Sequence, residues 1–78
     1  MNMNAEFKGK SAKAIIDENI DTSEKDHLWL IVMSAKVLMR QGKEDACYST
    51  QSATYGITTW MLNGEYIVIT LNDIDKVV

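Results

Sequence analysis

The sequence predicts an α+β domain in which a short N-terminal helix and one long helix accompany a small antiparallel sheet of two or three strands. Residues 27–39, HLWLIVMSAKVLM, are mostly apolar, and a glycine follows soon after them, as at the end of a long helix. The pair Asn63-Gly64 stands between two runs of strand-forming residues. The chain has 78 residues, of which 46% are hydrophobic and 24% charged, and this composition suits one domain over residues 1–78.

The first predicted element is a short helix over about residues 11–18. Ala12, Ile15 and Ile16 recur at spacings that place them on one side of a helix. Ser11 is a residue type that accepts hydrogen bonds from the first backbone N–H groups of a helix. The pattern therefore predicts a helix that starts after Ser11.

The second predicted element is a long helix over about residues 23–41. Asp21 and Glu24 have the spacing of a capping box, which indicates a helix start in this region. Arg40 lies near the predicted C-terminus, where a cation suits the helix dipole, and Gly42 is a natural stop. A strand reading of the apolar segment would leave the residues after Ser34 unexplained.

Strands are predicted over about residues 57–62 and 65–71, with Asn63-Gly64 as a two-residue turn between them. A type I′ turn requires positive φ at both central residues, and Asn and Gly tolerate it best. Residues 47–55, CYSTQSATY, are interpreted as a third strand, although the longer segment 44–55 could instead form a short polar helix. The tail after residue 71 is expected to form a turn and an extended end.

The long helix carries more apolar side chains than one core-facing stripe needs. At about 100° per residue, one side holds Leu28, Ile31, Val32, Ala35, Leu38 and Met39. Leu30, Met33 and Val37 lie opposite, with Trp29 beside them.

Both faces of the hairpin are likewise apolar, unlike an ordinary half-exposed sheet. We therefore expect a homodimer interface that includes Trp29, Leu30, Met33, Val37, Trp60 and Tyr66. The alternative is a helix wrapped within one chain, by the sheet on one side and the N-terminal segment on the other.

No residue pattern indicates catalysis, a cofactor or a metal. One cysteine, Cys47, cannot form an internal disulfide, and with the single histidine, His27, it cannot supply the four ligands of a structural zinc site. Acid pairs such as Asp73 and Asp75 lie beside predicted element ends, where Asp serves as a cap or turn residue. We therefore expect a protein that is not an enzyme, unless His27 and Cys47 meet in a pocket.

Lys36, Arg40 and Lys43 share one strip of the long helix and form a candidate anion contact. A phosphate backbone is one surface that such a strip could meet. The net charge of −3 argues against nucleic-acid binding, because proteins that bind through phosphates usually carry a strong basic patch. The order of helices and hairpin is similar to a winged helix, but the segment that would enter the groove, EDACYSTQSATY, has two acids and no cation.

The sequence thus predicts a non-enzymatic binding or regulatory protein that acts through protein–protein contacts. Its expected partner is a second copy of itself, and another protein is a further candidate. We expect a cytoplasmic location without membrane contact, because the longest uninterrupted apolar run, residues 28–33, is far below spanning length. The alternatives are a nucleic-acid-associated regulator and an inhibitor of a host protein encoded by a mobile element.

Overall fold

The structure, a computed structural model, describes residues 6–22, 26–51 and 55–77. Its elements are α1 (Ala12–Asp17), α2 (His27–Arg40), β1 (Cys47–Gln51), β2 (Ile57–Leu62), β3 (Glu65–Thr70) and α3 (Leu71–Val77). Within the described residues the strands form one antiparallel sheet in the order β1-β2-β3. The predicted α+β class with a small antiparallel sheet is therefore confirmed.

Helix α1 begins where its N-cap side chain satisfies a free backbone donor. The Ser11 hydroxyl accepts a hydrogen bond from the Ala14 N–H at 3.1 Å. On the exposed side, Lys13 forms an ion pair with Asp17 at 2.9 Å, and the carboxylate raises the pKa of Lys13. Ala12 and Ile15, on the other side, are buried, so α1 contributes one apolar face to the core.

Helix α2 begins later than the sequence prediction placed it. Asp26 has extended backbone angles, and its carboxylate accepts a hydrogen bond from the Trp29 N–H at 3.1 Å. Its carbonyl oxygen accepts the first helical bond, from Leu30 N–H. Asp26 is thus the N-cap rather than an internal residue, and the predicted start at residue 23 was wrong. Glu24, of the predicted capping box, lies outside the described residues.

The end of α2 depends on a glycine. Gly42 has φ 74, which allows the chain to turn back so that the Lys43 N–H donates to the Leu38 carbonyl oxygen at 2.8 Å. Carbonyl groups at a helix C-terminus otherwise lack partners. This turn leads directly toward β1.

The sheet is a meander in which β2 is the central strand. Cys47 lies opposite Met61 at one end of β1, and a bulge between Tyr48 and Thr50 shifts the register. Residues 47–51, within the segment left open between strand and helix, are therefore strand. Asn63 and Gly64 connect β2 to β3 with φ values of 54 and 82, the positive signs that a type I′ turn requires.

Helix α2 is covered on two sides by its own chain. The sheet faces its Ser34 side, where the Thr58 hydroxyl donates to the Ser34 hydroxyl at 2.8 Å, and α1 and α3 also pack against α2. Three residues of the predicted interface, Leu30, Met33 and Val37, are buried within a single chain. Elements of the same chain cover Leu30 and Val37, so their assignment to a partner surface was wrong, and Met33 keeps only 9% of its surface exposed.

Trp60, a fourth residue of the predicted interface, also lies in the core. Its ring meets Tyr48 edge to face at a centroid distance of 5.3 Å, and its Nε1–H donates to the Thr58 hydroxyl at 2.8 Å. The indole is fully buried with its polar atom satisfied. Trp60 is therefore a core residue rather than an interface residue.

The chain after β3 forms helix α3, not the turn and extended end that were expected. Thr70 and Asp73 cap it reciprocally: the Asp73 carboxylate accepts from the Thr70 N–H at 2.9 Å, and the Asp73 N–H donates to the Thr70 hydroxyl at 3.4 Å. The helix buries Ile74 against the core, a contribution of about 1.5–3 kcal/mol for a side chain of this size. None of the helices over the described residues is long and apolar enough to cross a membrane.

Candidate functional site

One face of the sheet carries large apolar side chains that remain exposed. Alternation along β2 and β3 directs Thr58, Trp60 and Ile69 inward, and these three are buried. The opposite face, here called the outer face, carries the exposed residues Met61, Tyr66 and Val68 and the half-buried Thr59.

The exposed fractions on the outer face are 37% for Met61, 65% for Tyr66 and 53% for Val68. Large apolar side chains that share one face with this much exposure are typical of an interaction surface. The outer face is therefore the first part of the candidate site.

Strand β3 forms an edge of this sheet and presents backbone groups outward. The Thr70 N–H does not join the ladder, because it donates to the Asp73 carboxylate instead. In an antiparallel pair, every second residue faces away from its partner strand. Val68 and Tyr66, at two-residue steps from Thr70, therefore direct their N–H and C=O groups to the free edge.

The opposite edge of the sheet is closed by the chain itself. The Tyr48 N–H donates to the Lys10 carbonyl oxygen, and the Gly9 N–H donates to the Tyr48 carbonyl oxygen, both at 2.8 Å. Ser11 and Cys47 add an antiparallel bridge. One edge is thus covered and bulged, whereas β3 has no strand on its far side within the described residues.

Two of the six predicted interface residues remain accessible. Tyr66 is exposed on the outer face, and Trp29 is half-buried against the core cluster. Met61 and Val68 belong to the surface but were absent from the predicted set. The sequence could have indicated that both residues lie on the outer face, because they alternate with the inward-facing residues of the same strands.

The cations of α2 lie on the other side of the molecule. Lys36 and Arg40 line a groove of about 470 Å³ together with Ile16, Met33, Met39 and Val77. Lys43 is half-buried beyond the end of α2 and is not a lining residue. The structure therefore brings two of the three predicted anion contacts to one groove.

His27 and Cys47 do not meet. The His27 ring contacts the Tyr55 ring edge to face at 6.4 Å, near the start of β2. Cys47 lies opposite Met61, near the end of β2, and its thiol donates to the Asp45 carbonyl oxygen at 3.5 Å. Within the described ranges, no group of three or more His, Cys, Asp and Glu side chains could hold a metal ion.

Comparison of the chain with protein-family models, with curated proteins and with solved structures yields no match.

Proposed function

We propose that this chain is a small cytoplasmic protein without catalytic activity that works as a homodimer, and that the dimer forms by pairing β3 with β3 of a second copy. The observation that carries the proposal is the open edge of β3 beside exposed apolar side chains. The paired sheets place two outer faces side by side. They form a wider apolar surface for a further protein partner.

The backbone pattern of the edge is self-complementary. If two β3 strands pair antiparallel with Ile67 opposite its own copy, Tyr66 lies opposite Val68 of the other chain. Both residues direct their backbone groups to the edge, so each such pair exchanges N–H···O hydrogen bonds. One register thus satisfies the outward groups of both chains.

The side chains suit the same register. Tyr66 of one copy lies beside Val68 of the other on the outer face, and an aromatic residue beside a β-branched one is a favourable cross-strand pair. The single charge of β3, Glu65, comes opposite Ile69 rather than opposite another Glu65. The pairing therefore places no like charges directly across from each other.

Apart from the charge of Glu65 at its start, the strand lacks the features by which proteins prevent edge pairing. β3, with the sequence EYIVIT, contains no proline and no lysine, and its register with β2 runs without a bulge. An apolar edge without these features can pair with a strand of another chain. We therefore place the dimer contact at β3 rather than at the covered edge of β1.

A proline at Val68 tests the edge pairing directly. Because the Val68 N–H faces away from β2, proline there removes no bond within the chain but blocks pairing with a second chain. We expect sedimentation to give about twice the 8.8 kDa monomer mass for the native chain at millimolar concentration, and the monomer mass for Val68→Pro.

The matched control is Val68→Thr, which keeps the N–H and the β-branched shape. We expect this variant to remain a dimer. Circular dichroism of all three proteins checks that they are folded. Amide exchange of the native protein gives a readout without substitution, because Tyr66 and Val68 should exchange more slowly in concentrated than in dilute solution. A native chain that stays monomeric at every concentration would contradict the proposal.

A further inference from the structure

The groove on the helical side of the molecule has a chemistry distinct from the outer face. Helix α2 forms its floor, and α1 and α3 contribute Ile16 and Val77 as its walls. Ser34 faces the sheet, and at about 100° per residue Lys36 and Arg40 lie on the far side of α2. The groove and the outer face are therefore on opposite sides of the fold.

The lining combines an apolar surface with two cations. Ile16, Met33, Met39 and Val77 are buried or half-buried, whereas Lys36 and Arg40 are exposed. Neither cation forms an ion pair with the part of the chain that the structure describes, where the acids Glu18 and Asp17 pair with Lys10 and Lys13 instead. Among the described residues, no acidic side chain lines the groove. The groove is therefore positively charged, and its two cations can contact an anionic ligand.

The two methionines make the apolar part adaptable. Methionine is unbranched, and its thioether packs against apolar groups of varied shape. Lys36 and Arg40 are four residues apart on one helix and thus neighbours on its surface. One anionic group can approach both, while an attached apolar chain lies along Met33 and Met39.

We propose that this groove binds a monomeric anionic amphiphile, a straight-chain carboxylate of the fatty-acid type, with its head group on Lys36 and Arg40. The volume of about 470 Å³ is in the range of small-molecule sites. Two cations are too few for a nucleic-acid surface, and the walls from α1 and α3 suit one chain rather than a bilayer. This binding is independent of the proposed dimer.

Titration with decanoate below its micelle concentration, followed by the methyl resonances of methionine, tests the site. We expect Met33 and Met39 to shift and Met61, on the outer face, to remain unchanged. Shortening the carboxylate should weaken binding by up to about fourfold for each methylene removed. Decanol, which keeps the chain but lacks the charge, should bind more weakly than decanoate.

Substitutions distinguish binding through the head group from non-specific binding to an apolar surface. The double variant Lys36→Gln, Arg40→Gln should weaken decanoate binding by about tenfold, because both charges are lost at exposed positions. The control is Lys43→Gln, which removes a cation that does not line the groove and should leave the affinity unchanged. Thermal unfolding of each variant checks that the fold is intact.

Four results would overturn the inference. Equal affinity for decanol and decanoate would remove the role of the cations, and equal shifts at Met61 would indicate non-specific binding. If inorganic phosphate alone saturated the groove, the cations would bind anions, but there would be no site for an apolar chain. Responses of Met33 and Met39 to anionic vesicles or to duplex DNA, with none to decanoate, would assign the strip to a membrane or to a nucleic acid.

Discussion

The Thr58 hydroxyl donates a hydrogen bond to the Ser34 hydroxyl at 2.8 Å and thereby joins the central strand of the sheet to the middle of α2. The same Thr58 oxygen accepts the Trp60 Nε1–H. Among the described residues, no buried side-chain nitrogen or oxygen lacks a partner. This short chain of hydrogen bonds satisfies the polar atoms at the interface between helix and sheet.

Replacing Thr58 with valine should destabilise the fold although the shape is nearly kept. The indole N–H of Trp60 then loses its acceptor in the core, and a buried donor without a partner costs about 1–3 kcal/mol. Urea unfolding measures the loss. Thr59→Val, one residue along and on the outer face, is the control and should change stability by less than about 0.5 kcal/mol. Equal midpoints for both variants would contradict a role for the buried hydroxyl.

Tyr48 should make stability fall at alkaline pH. Its side chain is 1% exposed, and burial raises the pKa of Tyr48 to about 12, whereas an unfolded chain has a tyrosine pKa of about 10. The unfolded state therefore loses its proton first as pH rises. The stabilising contribution is complete below about pH 10 and is lost between about 10 and 12, by on the order of 3 kcal/mol.

The measurement for Tyr48 is urea unfolding at a series of pH values between neutral and strongly alkaline. Tyr48→Phe keeps the ring and removes the ionisable group, so subtracting its pH profile isolates Tyr48 from the lysines and the cysteine. We expect the native chain to lose more stability than the variant above pH 10. Parallel profiles would show that Tyr48 ionises equally in both states.

Two glycines with positive φ should respond differently to alanine. Gly64, in the turn, has φ 82, and no atom of the described residues other than its chain neighbours lies within 4 Å of an added Cβ, so Gly64→Ala should cost only the backbone strain of about 1–2 kcal/mol. At Gly56, φ is 99, and an added Cβ would lie 2.9 Å from Leu71 Cδ1. Gly56→Ala should therefore cost more, because Leu71 must move as well.

The comparison also has a positional readout. The Gly56 carbonyl oxygen accepts the Leu71 N–H at 3.1 Å, so a shift at Gly56 should loosen the start of α3. Amide exchange in α3 should become faster in Gly56→Ala and stay unchanged in Gly64→Ala. If both variants lost the same free energy of unfolding and amide exchange in α3 did not change, the Leu71 side chain would accommodate the added Cβ without cost.

The elements that the sequence predicts well are set by residues close in the chain. Ser11 caps α1 through a neighbour three residues on, and Gly42 allows the return to Leu38 at the end of α2. The start of α2 was misplaced because several residues before it could each serve as a cap. Only the geometry of Asp26 distinguishes among them.

Helix α3 was missed despite a local signal. Thr70 and Asp73 have capping-box spacing, but the segment follows a strand directly and is short. A helix of this length is only marginally stable by itself, because the first turn is unfavourable to form and few backbone hydrogen bonds follow to offset it. Burial of Ile74 against the core supplies what the local sequence lacks.

The sequence by itself determined that this chain has a long helix with two apolar sides and a hairpin with two apolar faces, because periodicity reveals which side chains need cover. The tertiary structure decided what provides that cover. Leu30 and Val37 are buried by elements of the same chain, whereas Tyr66 and Val68 remain exposed on the outer face. Periodicity could not separate these cases, because burial depends on how distant segments pack and the apolar pattern is the same whether the covering surface belongs to one chain or to two.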